Sequence, residues 1–148
     1  PANEGLEGET ELLLIAAARA DHVRQLIHPA LYRGQVVVCD RFLDSTRAYQ
    51  GGGRGLRRDV VDAVDAVARG GLLPDVTLLL DLPAEDGLAR AKKRHARAAT
   101  ADDAETRLDA EEISFHRKVR SAFLRQAGEE PRRIWVIDAS AASCRLRL

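Results

Sequence analysis

Strand-like and helix-like segments alternate along these 148 residues, and that alternation predicts an α/β fold: a parallel sheet with flanking helices. Two observations sharpen this. Short apolar runs, Val36-Val37-Val38-Cys39 and Val76-Thr77-Leu78-Leu79-Leu80, read as strands apolar on both faces, the pattern of a parallel-sheet interior. Longer stretches between and after them repeat apolar residues at helical spacing and end on glycine, so the crossovers are expected to be helical and right-handed.

Residues 9–33 read as one long amphipathic helix with Glu9 and Thr10 near its start. Pro29 removes a backbone donor and is expected to kink or interrupt it, and Gly34 ends it. Residues 35–39 form the first predicted strand. Residues 45–50 start a helix capped by Asp44 or Ser45, and the glycine-rich residues 51–55 make a flexible bend. Residues 57–69 present Val60, Val61, Val64 and Val67 at helical spacing before Gly70-Gly71 stops the helix. Pro74 leads into a strand at 76–80, followed by helices at 84–95 and 109–127 and a last strand at 133–137. There is no internal repeat.

Composition bounds the function. With 45% hydrophobic residues the chain can bury a core as one domain, although it is short for a sheet covered on both faces. Lys+Arg and Asp+Glu stand at 23 each, a net charge of zero, which argues against nucleic-acid binding by bulk electrostatics. No segment has the length of a membrane span or the layout of a signal peptide, so a soluble cytoplasmic protein is expected. Cys39 and Cys144 are too far apart for a metal knuckle, and no two histidines have zinc-helix spacing, so no metal ligand set and no disulfide are predicted. Cys39 reads as a small buried hydrophobe within its strand.

Two stretches carry chemistry. The apolar run 36–39 stops at Asp40-Arg41, where an open parallel sheet binds ligands, and an arginine there can grip a phosphate with two parallel hydrogen bonds. The competing reading is a surface ion pair. Arg90-Ala91-Lys92-Lys93-Arg94-His95-Ala96-Arg97, followed by the polar run at 100–106, is either a phosphate-closing lid or a basic helix end that complements its own dipole.

The segment Asp40-Arg41-Phe42-Leu43-Asp44-Ser45-Thr46-Arg47-Ala48-Tyr49-Gln50-Gly51-Gly52-Gly53-Arg54-Gly55 closely resembles the nucleoside-monophosphate site of bacterial thymidylate kinases. The likeness extends through Glu11-Leu12-Leu13-Leu14-Ile15-Ala16-Ala17-Ala18-Arg19 and Gly70-Gly71-Leu72-Leu73-Pro74-Asp75, then Phe115-His116 and Val136-Ile137-Asp138-Ala139, covering most of residues 9–140. It implies a fold of the P-loop nucleoside-monophosphate kinase type, with an acceptor-nucleotide site at about 9–56 and a lid at about 90–109. It also implies ATP-dependent, magnesium-assisted phosphorylation of dTMP to dTDP in dTTP biosynthesis, and a homodimer paired through residues 12–27.

Residue by residue, the resemblance assigns Arg19 to thymidylate contact and puts Ile15 where a phenylalanine usually stacks on the base. Asp40 and Arg41 lie beside the acceptor phosphate, with Arg41 the direct ligand. Ser45, Thr46 and Tyr49 line the nucleotide, Tyr49 with a core role as its alternative, while Gln50 hydrogen-bonds nucleotide or loop. Arg94 and Arg97 act from the lid, where Thr106-Arg107-Leu108-Asp109 departs from the usual acidic pattern.

The donor side does not match. No G-x-x-x-x-G-K-[ST] loop occurs, and Gly5-Leu6-Glu7-Gly8-Glu9-Thr10 lacks both the lysine and the spacing, so it reads as a polar loop entering a helix. The expectation is a kinase domain incomplete at its N-terminus, with little or no activity in isolation. The chain contains no methionine. Residues 141–148 also depart from the family, which continues into a final helix. A related deoxynucleoside kinase and a non-catalytic nucleotide-binding or dimerisation module are the alternatives.

Overall fold

An acidic first turn opens the helix that carries Ile15 and Arg19 of the predicted site. The computed structural model describes residues 7–95 and 111–140, with the side chains of residues 94 and 95 outside that description. The chain divides into two units, Pro1–Asp75 and Val76–Leu148.

In the first unit, α1 (Gly8–His22) begins with Glu9 and Glu11, whose charges complement the positive end of the helix dipole. It runs through a π-helical segment, Val23–Ile27, into α2 (His28–Tyr32). The predicted interruption is there, and its cause is Pro29. Without an N–H, Pro29 cannot serve the carbonyl four residues earlier, and the preceding turn widens so that the His28 N–H reaches Val23 O. Gly34, at φ 71°, ends the helix. Leu12, Ala16, Val23 and Ile27 form the buried stripe of this helical run.

Residues 35–39 are not a strand. Val36 and Val38 are 92% and 94% exposed, and among the described residues no neighbour offers this segment a hydrogen-bonded ladder. An apolar, β-branched run makes a strand only when a second strand satisfies its backbone groups. Cys39, placed inside that strand by the sequence, is instead half-buried with its thiol 3.3 Å from Arg41 O.

The next helix starts earlier than predicted. α3 (Leu43–Thr46) follows an extended Phe42, and neither Asp44 nor Ser45 caps it: both lie inside the first turn. It continues as a second π-helical segment, Arg47–Gly53, so the first three glycines of the expected bend are helical and only Gly55 is left-handed, at φ 78°. The wide turn closes through Arg54 N to Tyr49 O at 2.8 Å and Leu56 N to Gln50 O at 3.0 Å.

α4 (Arg58–Arg69) matches its prediction, and Gly70 and Gly71 end it at φ 58° and 83°. Its buried face does not match. Val61, Asp65 and Ala68 are buried against α1, whereas Val60 and Val67 point to solvent.

In the second unit, β1 (Thr77–Asp81) and β2 (Ile134–Asp138) pair in parallel, with Thr77 opposite Ile134 and Asp81 opposite Asp138. Parallel pairing requires a long crossover, which here includes α5 (Ala84–His95) and α6 (Ile113–Glu129). Both helices and both strands lie close to their predicted positions. α6 packs on the strands and buries Phe115, Val119, Ala122 and Ala127. The reading of β1 as a strand buried on both faces is corrected: Leu78 and Leu80 are 59% and 66% exposed, because among the described residues only one face of the two-stranded sheet is covered.

Candidate functional site

One helical turn separates Ile15 from Arg19, which places both on the same side of α1. Ile15 is half-buried. Arg19 is almost enclosed, its side chain 9% exposed. Its Nη1 donates to Asp65 Oδ1 on α4, and its Nη2 donates to Thr46 Oγ1 at 2.6 Å and to Phe42 O at 3.2 Å. The guanidinium also lies over the Phe42 ring, with Cζ 5.3 Å from the centroid. Helices α1, α3 and α4 are therefore joined through one side chain. Asp65 is held from its other oxygen by Arg69 Nε at 3.1 Å, so a buried carboxylate sits between two guanidiniums. That pairing offsets the cost of taking its charge out of water.

A second buried acid, Glu11, accepts from Gln50 Nε2 at 2.7 Å and from Arg54 Nη2 at 3.4 Å. It thereby connects the first turn of α1 to the end of the Arg47–Gly53 segment. Arg47 Nε bonds Asp62 Oδ1 at 2.7 Å and ties the same segment to α4.

Asp40 and Arg41 lie just before α3, both exposed. The Arg41 guanidinium stacks over Tyr49, with Cζ 5.1 Å from the ring centroid. Ser45 and Tyr49 are half-buried, while Thr46 and Gln50 are each 2% exposed. Burial raises the Cys39 thiol above its ordinary range, the nearby Arg19 charge opposing and Asp40 adding to the rise.

The first unit thus brings Arg19 together with Thr46, and Arg41 with Tyr49. Gln50 is tied to Glu11 instead. Arg94 stands in the last turn of α5 with its side chain outside the described residues, and Arg97, with the remainder of the predicted lid from residue 96 to 109, lies outside them altogether. Among the described residues no group of three His, Cys, Asp or Glu side chains could hold a metal ion.

Sequence reasoning missed Asp65 and Glu11. The signal was present in both cases: an acid standing in register with the apolar stripe of its helix, between Val61 and Ala68 or beside Leu12.

The fold is that of an α/β protein of the P-loop nucleoside-monophosphate kinase type. The crystal structure of thymidylate kinase from Ehrlichia chaffeensis superposes with a TM-score of 0.67 at 31% identity, over 92% of this chain and 61% of that one. A family model described as thymidylate kinase matches residues 2–145, and the chain belongs to the thymidylate kinase family. The thymidylate kinase of Desulfosudis oleivorans is 51% identical over 139 residues, covering 94% of this chain and 64% of the relative. That of Solidesulfovibrio magneticus is 52% identical over 136 residues, 92% and 65% respectively. This chain therefore spans just under two thirds of the length of these relatives.

Proposed function

We propose that these residues form the acceptor half of a thymidylate kinase, which binds dTMP and presents its 5′-phosphate to the terminal phosphoryl group of ATP. The observation that carries this reading is the caged Arg19. Its Nη1 and Nη2 are engaged within the protein, and among the described residues its Nε–H has no partner, so a fixed donor remains for a nucleotide. Arg41 is the phosphate ligand: exposed, steered by Tyr49, and able to offer two parallel N–H groups to two phosphate oxygens. Ile15 supplies an apolar contact to the base, although it lacks the ring face that would stack. Thr46 acts through Arg19, and Gln50 through its bond to Glu11 shapes the wall that Ser45 and Tyr49 line. Asp40 stands beside Arg41 and counters its charge before the nucleotide enters.

Phosphoryl transfer of this kind needs in-line placement and charge neutralisation more than a nucleophilic side chain. Arg41 supplies both on the acceptor side, and Arg94 and Arg97 add positive charge from the lid. The donor set for magnesium and ATP does not fit these residues, which include neither a P-loop lysine nor its hydroxyl neighbour. We assign that half to residues other than these 148, and the isolated segment is then expected to turn over little or no substrate. Exposed Leu13, Leu14 and Leu26 on the first helical run are apolar positions suited to the homodimer face. Thymidylate and ATP are cytoplasmic metabolites, so the proposed site of action is the cytoplasm.

Calorimetric titration with dTMP and with thymidine tests this. Micromolar dTMP binding, weaker for thymidine and lost in Arg41→Ala, is the expected result. A folded chain that binds neither nucleoside nor nucleotide overturns the acceptor reading in favour of a non-catalytic module. Preference for thymidine would favour a deoxynucleoside kinase. Appreciable ATP-dependent dTDP formation by the 148 residues alone would overturn the assignment of the donor half.

A further inference from the structure

We infer that Asp65 is a positioning residue for the acceptor nucleotide: its carboxylate fixes the Arg19 guanidinium in the orientation that leaves Nε–H free for the ligand. This rests on the thymidylate reading of the site.

Asp65 occupies a place on α4 that its neighbours would fill with an aliphatic side chain, between fully buried Val61 and buried Ala68, and its own side chain is 4% exposed. Stability alone gives little reason for a carboxylate there, since a buried ion pair is often no better than a well-packed apolar residue. Its geometry gives a different reason. A guanidinium is planar, so fixing two of its nitrogens fixes the direction of the third. Thr46 and Phe42 hold Nη2, and Asp65 is the partner of Nη1 among the described residues. Without Asp65 the group would be anchored at one nitrogen and could rotate about it. The carboxylate is in turn fixed from behind by Arg69, which also donates to Leu72 O at 3.1 Å at the end of the helix. The ordering of Arg19 is thus completed before the nucleotide arrives, and this lowers the entropy lost on binding.

The test is dTMP affinity by calorimetry in the full 148-residue chain for Asp65→Asn, Val61→Ala, Arg19→Lys and the Asp65→Asn/Arg19→Lys pair. Val61 lies one turn away on the same face, and its aliphatic side chain can neither accept from nor donate to Arg19, so it reports the effect of lost packing. Asp65→Asn is expected to weaken dTMP at least tenfold, Val61→Ala less than twofold, and adding Asp65→Asn to Arg19→Lys less than twofold. Equal weakening in Asp65→Asn and Val61→Ala, or full additivity with Arg19→Lys, would overturn the inference while leaving the thymidylate reading intact. If the wild-type chain binds no dTMP, both fall together. Should Asp65→Asn fail to fold, Asp65→Glu keeps the charge and moves the carboxylate by one methylene: at least fivefold weakening supports the inference, and unchanged affinity overturns it.

Discussion

Arg41 lays its guanidinium over the Tyr49 ring, Cζ 5.1 Å from the centroid, from a left-handed backbone at φ 63°. Among the described residues it is the single non-glycine residue with positive φ, and that conformation costs a residue with a Cβ about 1–2 kcal/mol. Arg41→Ala keeps the strain and loses the stacking, whereas Arg41→Gly loses both. The glycine variant is therefore expected to be more stable than the alanine variant by about 1 kcal/mol in urea unfolding. Both should lose dTMP binding alike. Coincident unfolding midpoints would mean that the backbone at residue 41 carries no strain.

Glu11 is 4% exposed, and its two oxygens join Gln50 and Arg54 to α1. Removing one member of a buried charged network leaves the others desolvated and uncompensated. Glu11→Ala is expected to destabilise the chain by about 3 kcal/mol, and Glu11→Gln, which keeps a hydrogen-bonding oxygen, by about 1 kcal/mol. Denaturant melts of the two variants would decide it, and a loss under about 0.5 kcal/mol for the alanine would show that the network contributes nothing net.

Val61 and Val67 separate the sequence reading of α4 from its structure. Val61 is 0% exposed and Val67 is 85% exposed, although the valine spacing puts both on one predicted face. Val61→Ala removes two buried carbons and leaves a cavity, for an expected loss of about 2 kcal/mol. Val67→Ala should change stability by less than about 0.5 kcal/mol. A comparable loss at Val67 would mean that this face is covered in solution.

Local chemistry was legible in the sequence and partner-dependent structure was not. Pro29, Gly34, Gly70 and Gly71 act through their own backbone geometry, so each acts where the sequence located it. The strands at 77–81 and 134–138 were found because they pair with each other, while the equally apolar 35–39 segment has no ladder partner among the described residues and stays extended. α4 was located correctly but rotated, because periodicity counts Asp65 as polar and solvent-facing when two arginines hold it in the core. At the site, Arg19, Thr46, Arg41 and Tyr49 were all named from motif likeness. What motif likeness did not convey was that Arg19 bonds Thr46 and Arg41 covers Tyr49, nor that Glu11 and Asp65 support the site through contacts 39 and 46 positions apart in the chain.

Arg120 grips Asp81 at both carboxylate oxygens, Nε to Oδ1 at 2.7 Å and Nη2 to Oδ2 at 2.8 Å, and ties α6 to the C-terminal end of β1. These hydrogen bonds hold the Asp81 carboxyl below its ordinary value of 3.8, against partial burial and the nearby Asp138 charge, which push it upward. A carboxyl depressed in the folded state stabilises the fold above its unfolded value, and that contribution disappears as the pH falls through the lower folded value. The difference in urea midpoint between wild type and Arg120→Gln should therefore be constant from neutral pH down to about one unit above 3.8, then shrink and vanish as Asp81 becomes protonated. Because Arg120 is 40% exposed, added salt should reduce the difference at pH 7 as well. A midpoint difference that persists unchanged to pH 2 would show that Arg120 stabilises the unit by packing its aliphatic stem, and not through the charge of Asp81.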